Sequence, residues 1–366
     1  MSGITADNLE RSSGLTKAAS VGPSTGSSNP TVTTNPSAVG DRFINTTSGE
    51  VFVCTDATTD ENKWEGQLDT SVAPPKFFGG RGIWAGGESP FVDTIDYVTI
   101  SSLGNASDFG DIVTAKGFMG AGVSNGPRGV LAGSAGGTEY NVMEYVTFAS
   151  AGDTTDFGDL TATVRIGPSG ASNGTRGCFS CCYDGGYVNI IDYITIASAG
   201  NASDFGNITV ARGGTASCSS ETRGVWAGGH NGTAYEDTMD FIVIASLGDA
   251  TDFGNLLAVN GSVPAGCSNG TRGAFGGGYT APARSNVIQY ITIGTTGNAT
   301  DFGDLTEARS NTSACSDGTK GVWGGGYSQP ASSNVIDYMN IASTGDASDF
   351  GNLVAAKRSV QSTSGD

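Results

Sequence analysis

G-T-K-G-V-W-G-G-G-Y-S (residues 318–328), N-V-I-D-Y-M-N-I (334–341) and A-S-T-G-D-A-S-D-F-G-N-L (342–353) make up the last of six stretches built to one pattern. The Asp-Phe-Gly triplets of the copies begin at Asp108, Asp156, Asp204, Asp252, Asp301 and Asp349, spaced 48, 48, 48, 49 and 48 residues apart. A second marker, a cation followed by glycine, keeps step at Arg81, Arg128, Arg176, Arg223, Arg272 and Lys320. Self-similarity at a fixed period of roughly 50 residues is the signature of a propeller or solenoid.

Each copy offers four strand-length pieces. The first is short and made of small residues, as in Thr215–Ser219 or Thr312–Ser316. The second is the cation-glycine strand with its following glycines, as in Arg223–Gly229. The third alternates apolar and polar residues, as in Ile191–Ile196, and the fourth starts at Asp-Phe-Gly. Four antiparallel strands per period predict one blade, and six copies predict an all-β, six-bladed β-propeller over residues 77–366. Small residues suit the crowded centre, and glycine allows close backbone approach. The recurring Phe109, Phe157, Phe205, Phe253, Phe302 and Phe350 are expected between adjacent blades, each burial worth on the order of 2 kcal/mol. The first copy begins at its second strand, Gly79–Gly82. Residues Arg358–Asp366 align with a first strand that no blade follows. They are expected to insert beside Gly82–Gly87 and close the ring, removing an exposed edge.

Composition bounds the function. The 366 residues include 58 Gly and carry a net charge of −18. Such acidity repels phosphate backbones and anionic membrane surfaces, so no nucleic acid and no membrane insertion are expected. No apolar run approaches the roughly 18 residues of a membrane helix. The opening M-S-G-I-T-A-D-N-L-E-R lacks a basic and an apolar signal region, so synthesis in a cytoplasm is expected. Seven cysteines show no framework spacing. Cys218, Cys267 and Cys315 hold one repeat position and read as apolar filler, not as disulfide partners.

Before the repeats, residues 1–36 are expected to be an anchor segment and linker, with one short helix over Ala6–Ala19 and a flexible Ser/Thr/Pro/Gly tract over Gly22–Pro36. Residues 37–76 are expected to form a small β-hairpin module. Its strands are Arg42–Asn45 and Glu50–Thr55, with an apolar cluster of Phe43, Phe52 and Trp64. The module is too small to fold firmly alone and is expected to pack on a neighbour or on copies of itself. Val72–Lys76, with Pro74 and Pro75, reads as a stiff hinge.

The Gly-Gly after the second strand, the hydroxyaromatic on the third and the large aromatic near the fourth resemble Kelch-type propellers over residues 79–366. The departure is Phe where those repeats usually carry Trp. The run G-D-R-F-I-N-T-T-S-G-E-V-F-V-C-T-D-A-T-T-D-E-N-K-W (40–64) resembles a small module of bacteriophage tail, fibre and other virion proteins. N-L-E-R-S-S-G-L (8–15) is similar to leaders of marine-phage structural proteins. These resemblances imply a virion component. Residues 1–76 would attach it to other capsid or tail proteins, with Leu9, Phe43, Phe52 and Trp64 in the anchor, and it would be a homo-oligomer that displays a distal propeller. Host-surface adhesion to a glycan or protein, bare decoration, and a glycan depolymerase are the functions to weigh.

The candidate sites divide by chemistry. Asp-Phe-Gly without a phosphate loop reads as a turn in which side chains cap the backbone; calcium would need six to eight oxygens. Asn105, Asn201 and Asn298 match the glycosylation sequon and read as turn residues. Cys178, Cys181 and Cys182 lack a nearby His to complete a zinc site, the one His being His230. No metal, cofactor or catalytic group is expected. The six cations read first as blade-to-blade ion pairs and second as a docking face. The loops between second and third strands vary most and carry Phe91, Tyr140, Tyr183, Tyr187, His230, Tyr235, Tyr279 and Tyr327. Variable aromatic loops on a uniform scaffold predict a recognition surface. A glycosidase would need two carboxylates roughly 5–9.5 Å apart, and no convincing pair stands out among those loops.

Overall fold

Short runs of β-branched, aromatic and small residues, punctuated by glycine, make strand the only extended regular structure among the described residues. The computed structural model describes residues 23–59, 62–67, 71–72, 77–88, 90–117, 120–133, 141–162, 167–183, 185–257 and 264–366. The helix expected over Ala6–Ala19 lies outside them. Two units divide the chain, Met1–Pro74 and Pro75–Asp366.

The first unit is a five-stranded sheet with its strands in chain order: β1 (Ser24–Gly26), β2 (Arg42–Asn45), β3 (Val51–Asp56), β4 (Lys63–Gly66) and β5 (Ser71–Val72). The expected hairpin is β2–β3, with Phe43 opposite Phe52. The Asn45 side chain caps its turn by accepting from the Thr47 N–H at 2.9 Å. The flexible tract expected over Gly22–Pro36 is corrected. Ser24–Gly26 pairs in parallel with Phe43–Asn45. Asn45 Nδ2 donates to Asn29 Oδ1 at 2.7 Å, and Asn62 Nδ2 donates to the Val32 carbonyl at 2.7 Å. Amide side chains thus supply the partners a polar segment would otherwise take from water. Phe43, Phe52, Cys54 and Trp64 are buried together as the unit's core. The three rings expected to anchor the chain therefore face inward, at 7, 0 and 1 % exposure, and any anchoring contact falls to other side chains. Leu9 lies outside the described residues.

The second unit holds six four-stranded antiparallel sheets. Sheets 2, 3, 4 and 6 take four consecutive strands each, sheet 2 running Ala121–Ser124, Arg128–Ala132, Val142–Thr147 and Thr155–Asp159, and sheet 5 takes four with a small ribbon between its second and third. Sheet 1 is assembled from both ends of the region. Arg81–Ala85, Thr94–Thr99 and Ser107–Asp111 are joined by Gln361–Gly365, which pairs antiparallel with Arg81–Ala85 as the alignment predicted. The six first strands lie side by side in the order of the sheets, with Gln361–Gly365 between Ser313–Ser316 and Ala121–Ser124. Serine hydroxyls stitch several of them: Ser268 Oγ donates to the Ser219 carbonyl, Ser316 to Ser268 and Ser364 to Ser316, each at 2.6 Å. They line a cavity of about 120 Å³ with Phe77.

The repeat markers have physical roles. Asp-Phe-Gly is not a turn. It lies within the fourth strand, where a bulge displaces the register between Ile95 and Asp96. The aspartates are exposed and the phenylalanines buried; Phe109 packs among Ile83, Ala85 and Ile95 of its own sheet and Leu131, Val146 and Phe148 of the next. Gly110 has φ of +147°, and a Cβ there would strike the backbone of Gly152 in the next sheet. The turn preceding each fourth strand carries Asn or Asp, whose oxygen caps a neighbour. Asp153 Oδ1 accepts from the Asp111 N–H and Asn201 Oδ1 from the Asp159 N–H, both at 3.0 Å. The same 3.0 Å bond, from the Asn352 N–H to Asn105 Oδ1, links sheet 6 to sheet 1. The sequon asparagines are used in this way.

The glycine after each cation makes room for the first strand of the preceding sheet: a Cβ on Gly82 would come within 2.7 Å of the Cys315 sulfur. Cys218, Cys267 and Cys315 are buried there, as expected of filler, and burial pushes their thiols well up. The cations do not form the expected ion pairs. Arg128 lies 4.3 Å from the Tyr145 ring centroid of its own sheet and donates to the Ala197 carbonyl of the next at 2.9 Å. Arg272 and Lys320 make the equivalent contacts, Lys320 with the Ser101 carbonyl of sheet 1.

Charge pairing occurs elsewhere. A cation of the segment entering a sheet meets a carboxylate on that sheet's third strand: Lys116–Glu144 at 3.1 Å, Arg212–Asp240 at 2.7 Å, Arg309–Asp337 at 2.8 Å and Lys357–Asp96 at 3.0 Å. All eight groups are at most 4 % exposed. In sheet 5 the carboxylate is replaced by Gln289, whose Oε1 accepts from the Leu257 N–H at 2.6 Å, and the cation's sequence position holds Asn260.

Candidate functional site: an aromatic and arginine belt

The loops between second and third strands are tied down before they present anything. In sheets 4, 6 and 1 the entering segment bridges to the loop of the sheet it enters, at Gly213–His230, Ser310–Tyr327 and Arg358–Glu88. Sheet 3 instead extends its second and third strands to Tyr183 and Tyr187, which face each other in register. Sheet 5 forms a small ribbon, Tyr279–Thr280 against Ala283–Arg284, that sets Tyr279 opposite Arg284. Loop side chains mounted in this way are held to the scaffold by backbone pairing.

Five of the predicted side chains come together in one continuous run. Tyr183 meets Tyr187 with ring centroids 5.5 Å apart, Tyr187 meets His230 at 5.6 Å, His230 meets Tyr235 at 4.9 Å, and Tyr235 meets Tyr279 at 6.0 Å. Most of these contacts are edge-to-face, the favourable geometry for aromatic quadrupoles. Tyr327, the sixth, joins through cations. The Arg284 guanidinium lies 5.4 Å from the Tyr279 centroid and 4.2 Å from that of Tyr327, and the Arg358 guanidinium lies 4.6 Å from Tyr327. Arg358 Nε then donates to Glu88 at 3.0 Å. The belt thus passes from sheet 3 through sheets 4, 5 and 6 to sheet 1. Phe91 is exposed in the corresponding loop of sheet 1, and Tyr140 lies outside the described residues.

Hydrogen bonds set the polarity of the belt. The Gly232 N–H donates to His230 Nδ1 at 3.0 Å, which leaves the proton of the neutral ring on Nε2. The Tyr187 hydroxyl, 3.3 Å away, is then a donor to the same nitrogen. Asn231 Oδ1 accepts from the Thr233 and Ala234 N–H groups at 2.8 Å, and its Nδ2 donates to Glu236. Burial pushes the Tyr235 phenol up, with Tyr279 and Tyr187 adding to the effect, so its hydroxyl stays protonated at neutral pH. The Tyr327 hydroxyl donates to the Pro330 carbonyl at 3.2 Å. The rings are half-buried, Tyr183 being more exposed at 39 %.

The sequence reading missed Arg284 and Arg358. Their signal is present only as scattered basic residues in an acidic chain, Arg284 alone and Arg358 beside Lys357, in segments that meet through the topology. Cys178, weighed as a metal ligand, is a buried strand residue whose thiol burial pushes up to about 12. No helix among the described residues is long and apolar enough to cross a membrane. The chain matches no family model and no curated protein.

Proposed function

We propose that the six sheets are the blades of a closed, six-bladed propeller of Kelch type, and that the chain is a phage virion component that binds host-surface saccharide through its tyrosine belt. Supporting the ring is the repetition of one Asn/Asp cap from sheet to sheet, including sheet 6 to sheet 1. The virion reading rests on the resemblance of residues 40–64. Residues 1–76 would attach the chain to other virion proteins.

The belt carries the binding reading. A sugar ring has an apolar C–H face and a rim of hydroxyls. Tyrosine answers both, with a flat ring for the face and a hydroxyl for the rim. Two of the belt's carboxylates are already engaged, Glu88 by Arg358 and Ser359, Glu236 by Asn231. That favours binding over hydrolysis.

The test is binding of the full chain to immobilised bacterial surface polysaccharides, alongside Tyr187→Ala, Tyr235→Ala and Tyr279→Ala. Each variant should weaken binding by roughly tenfold, the loss expected of a stacked aromatic worth about 1–1.5 kcal/mol. Failure of the chain to bind any polysaccharide, or binding indifferent to all three substitutions, overturns the reading. Release of reducing ends during the incubation would replace it with the enzyme.

A further inference from the structure

Of the belt's two arginines, Arg284 is the one that faces no opposing charge among the described residues. Arg309 and Arg212 are paired with carboxylates, and Arg358 is paired with Glu88. Arg284 has one polar side-chain contact among the described residues, Nη1 donating to the neutral Oε1 of Gln329 at 2.7 Å. Its Nε is buried without a hydrogen-bond partner. On a chain of net charge −18, an uncompensated guanidinium fixed among binding residues needs a reason.

Its surroundings supply one. The Tyr279–Thr280/Ala283–Arg284 ribbon fixes the backbone from which the guanidinium projects. Tyr279 and Tyr327 both lie within 5.4 Å of the guanidinium carbon, so the group is held as a planar fork against aromatic rings. Arg358 reaches the same Tyr327 ring from the loop beside sheet 1, but Glu88 already engages it. A flat guanidinium with unused donors, next to rings that stack on sugar, matches one ligand feature: a carboxylate carried on a sugar ring.

We infer that this corner of the belt, Tyr279–Arg284–Tyr327, binds acidic saccharides, with Arg284 pairing a uronate-type carboxylate while the tyrosines take the ring. The inference rests on the saccharide reading above and sharpens it to a charge class. Arg284 is a specificity residue, since the rings alone accept neutral sugars.

The experiment titrates the full chain with oligogalacturonate and oligoalginate, and with the methyl esters of both, which keep the sugar and remove the charge. The acids should bind at least roughly tenfold more tightly than the esters, as a charge-assisted hydrogen bond requires. The preference should weaken with added salt. Arg284→Ala should abolish it and Arg284→Lys should keep only part, because lysine lacks the fork. Arg42→Ala, which removes an exposed cation of the first unit outside the belt, should leave the preference for acids in place. Equal binding of acids and esters, or a preference unchanged by Arg284→Ala, overturns the inference but leaves saccharide binding standing. No binding of either form overturns it too, and the polysaccharide test above then decides whether the wider reading falls with it.

Discussion

Asn105, Asp153, Asn201, Asp249, Asn298 and Asp346 alternate between amide and acid at one repeat position because only an acceptor oxygen is used there. Each side chain accepts from the backbone of the preceding sheet, so Asn105→Asp should be nearly neutral. Asn105→Ala should lose about 1 kcal/mol, the net worth of one such bond. The midpoint of urea unfolding measures both, and equal losses would show that the oxygen is not what matters. Local sequence made these positions legible as turn residues, because Asn, Asp and Gly concentrate where side chains cap the backbone. Their partner was not legible, since it lies about forty residues away on another sheet and no local rule points to it. The same holds for Arg128 and its equivalents, whose glycine neighbour marked the strand while a ring and a carbonyl, and no carboxylate, receive the charge.

The segments entering the sheets carry the most costly interactions in the molecule. Arg309 and Asp337 are both fully buried, and removing one partner strands a charge in the interior. Arg309→Ala should therefore destabilise the chain by about 3–5 kcal/mol. The double change Arg309→Asn with Asp337→Gln copies the neutral residues Asn260 and Gln289 of the sheet-5 position and should cost less than half of that. Chemical denaturation of both variants decides, and a double variant as weak as the single would deny the equivalence. Burial holds the Asp337 carboxyl above its ordinary value of 3.8, against the pull of Arg309 and the Thr306 hydrogen bonds. The folded chain thus binds that proton more readily than the unfolded one. This contribution to stability is complete below pH 3.8 and is lost as pH rises through the folded value. Asp337→Asn should flatten the stability curve across that window. The pairing was open to sequence reasoning in principle, because the cation stands eight residues after the Asp of Asp-Phe-Gly at Lys116, Arg212, Arg309 and Lys357. It was missed because the partner belongs to the following copy.

Across the molecule, the repeat period and the pairing of Gln361–Gly365 with Arg81–Ala85 were both readable from self-similarity, since one copy is a template for the rest. The strand Ser24–Gly26 was not, for Ser-Thr-Gly has no strand preference and is ordered by amide side chains distant in sequence. Nor were Arg284, whose ribbon has no counterpart in the other copies, and Arg358, whose repeat position holds Gly213 and Ser310 elsewhere. Deleting Gln361–Asp366 should strip the first strand from sheet 1 and lower the melting midpoint by roughly 10 °C or more. A synthetic peptide of residues 355–366 should restore part of the loss in a circular-dichroism melt. Unchanged melting would mean that the strand adds nothing to the fold. That late strand also imposes an order on biogenesis. Arg81–Ala85 leaves the ribosome early, and its bonding partner is translated more than 270 residues later. Until then the nascent chain carries an unzipped edge, open to the matching strand of a sister chain made nearby. Slow translation or crowded polysomes should then favour interlinked pairs over single chains.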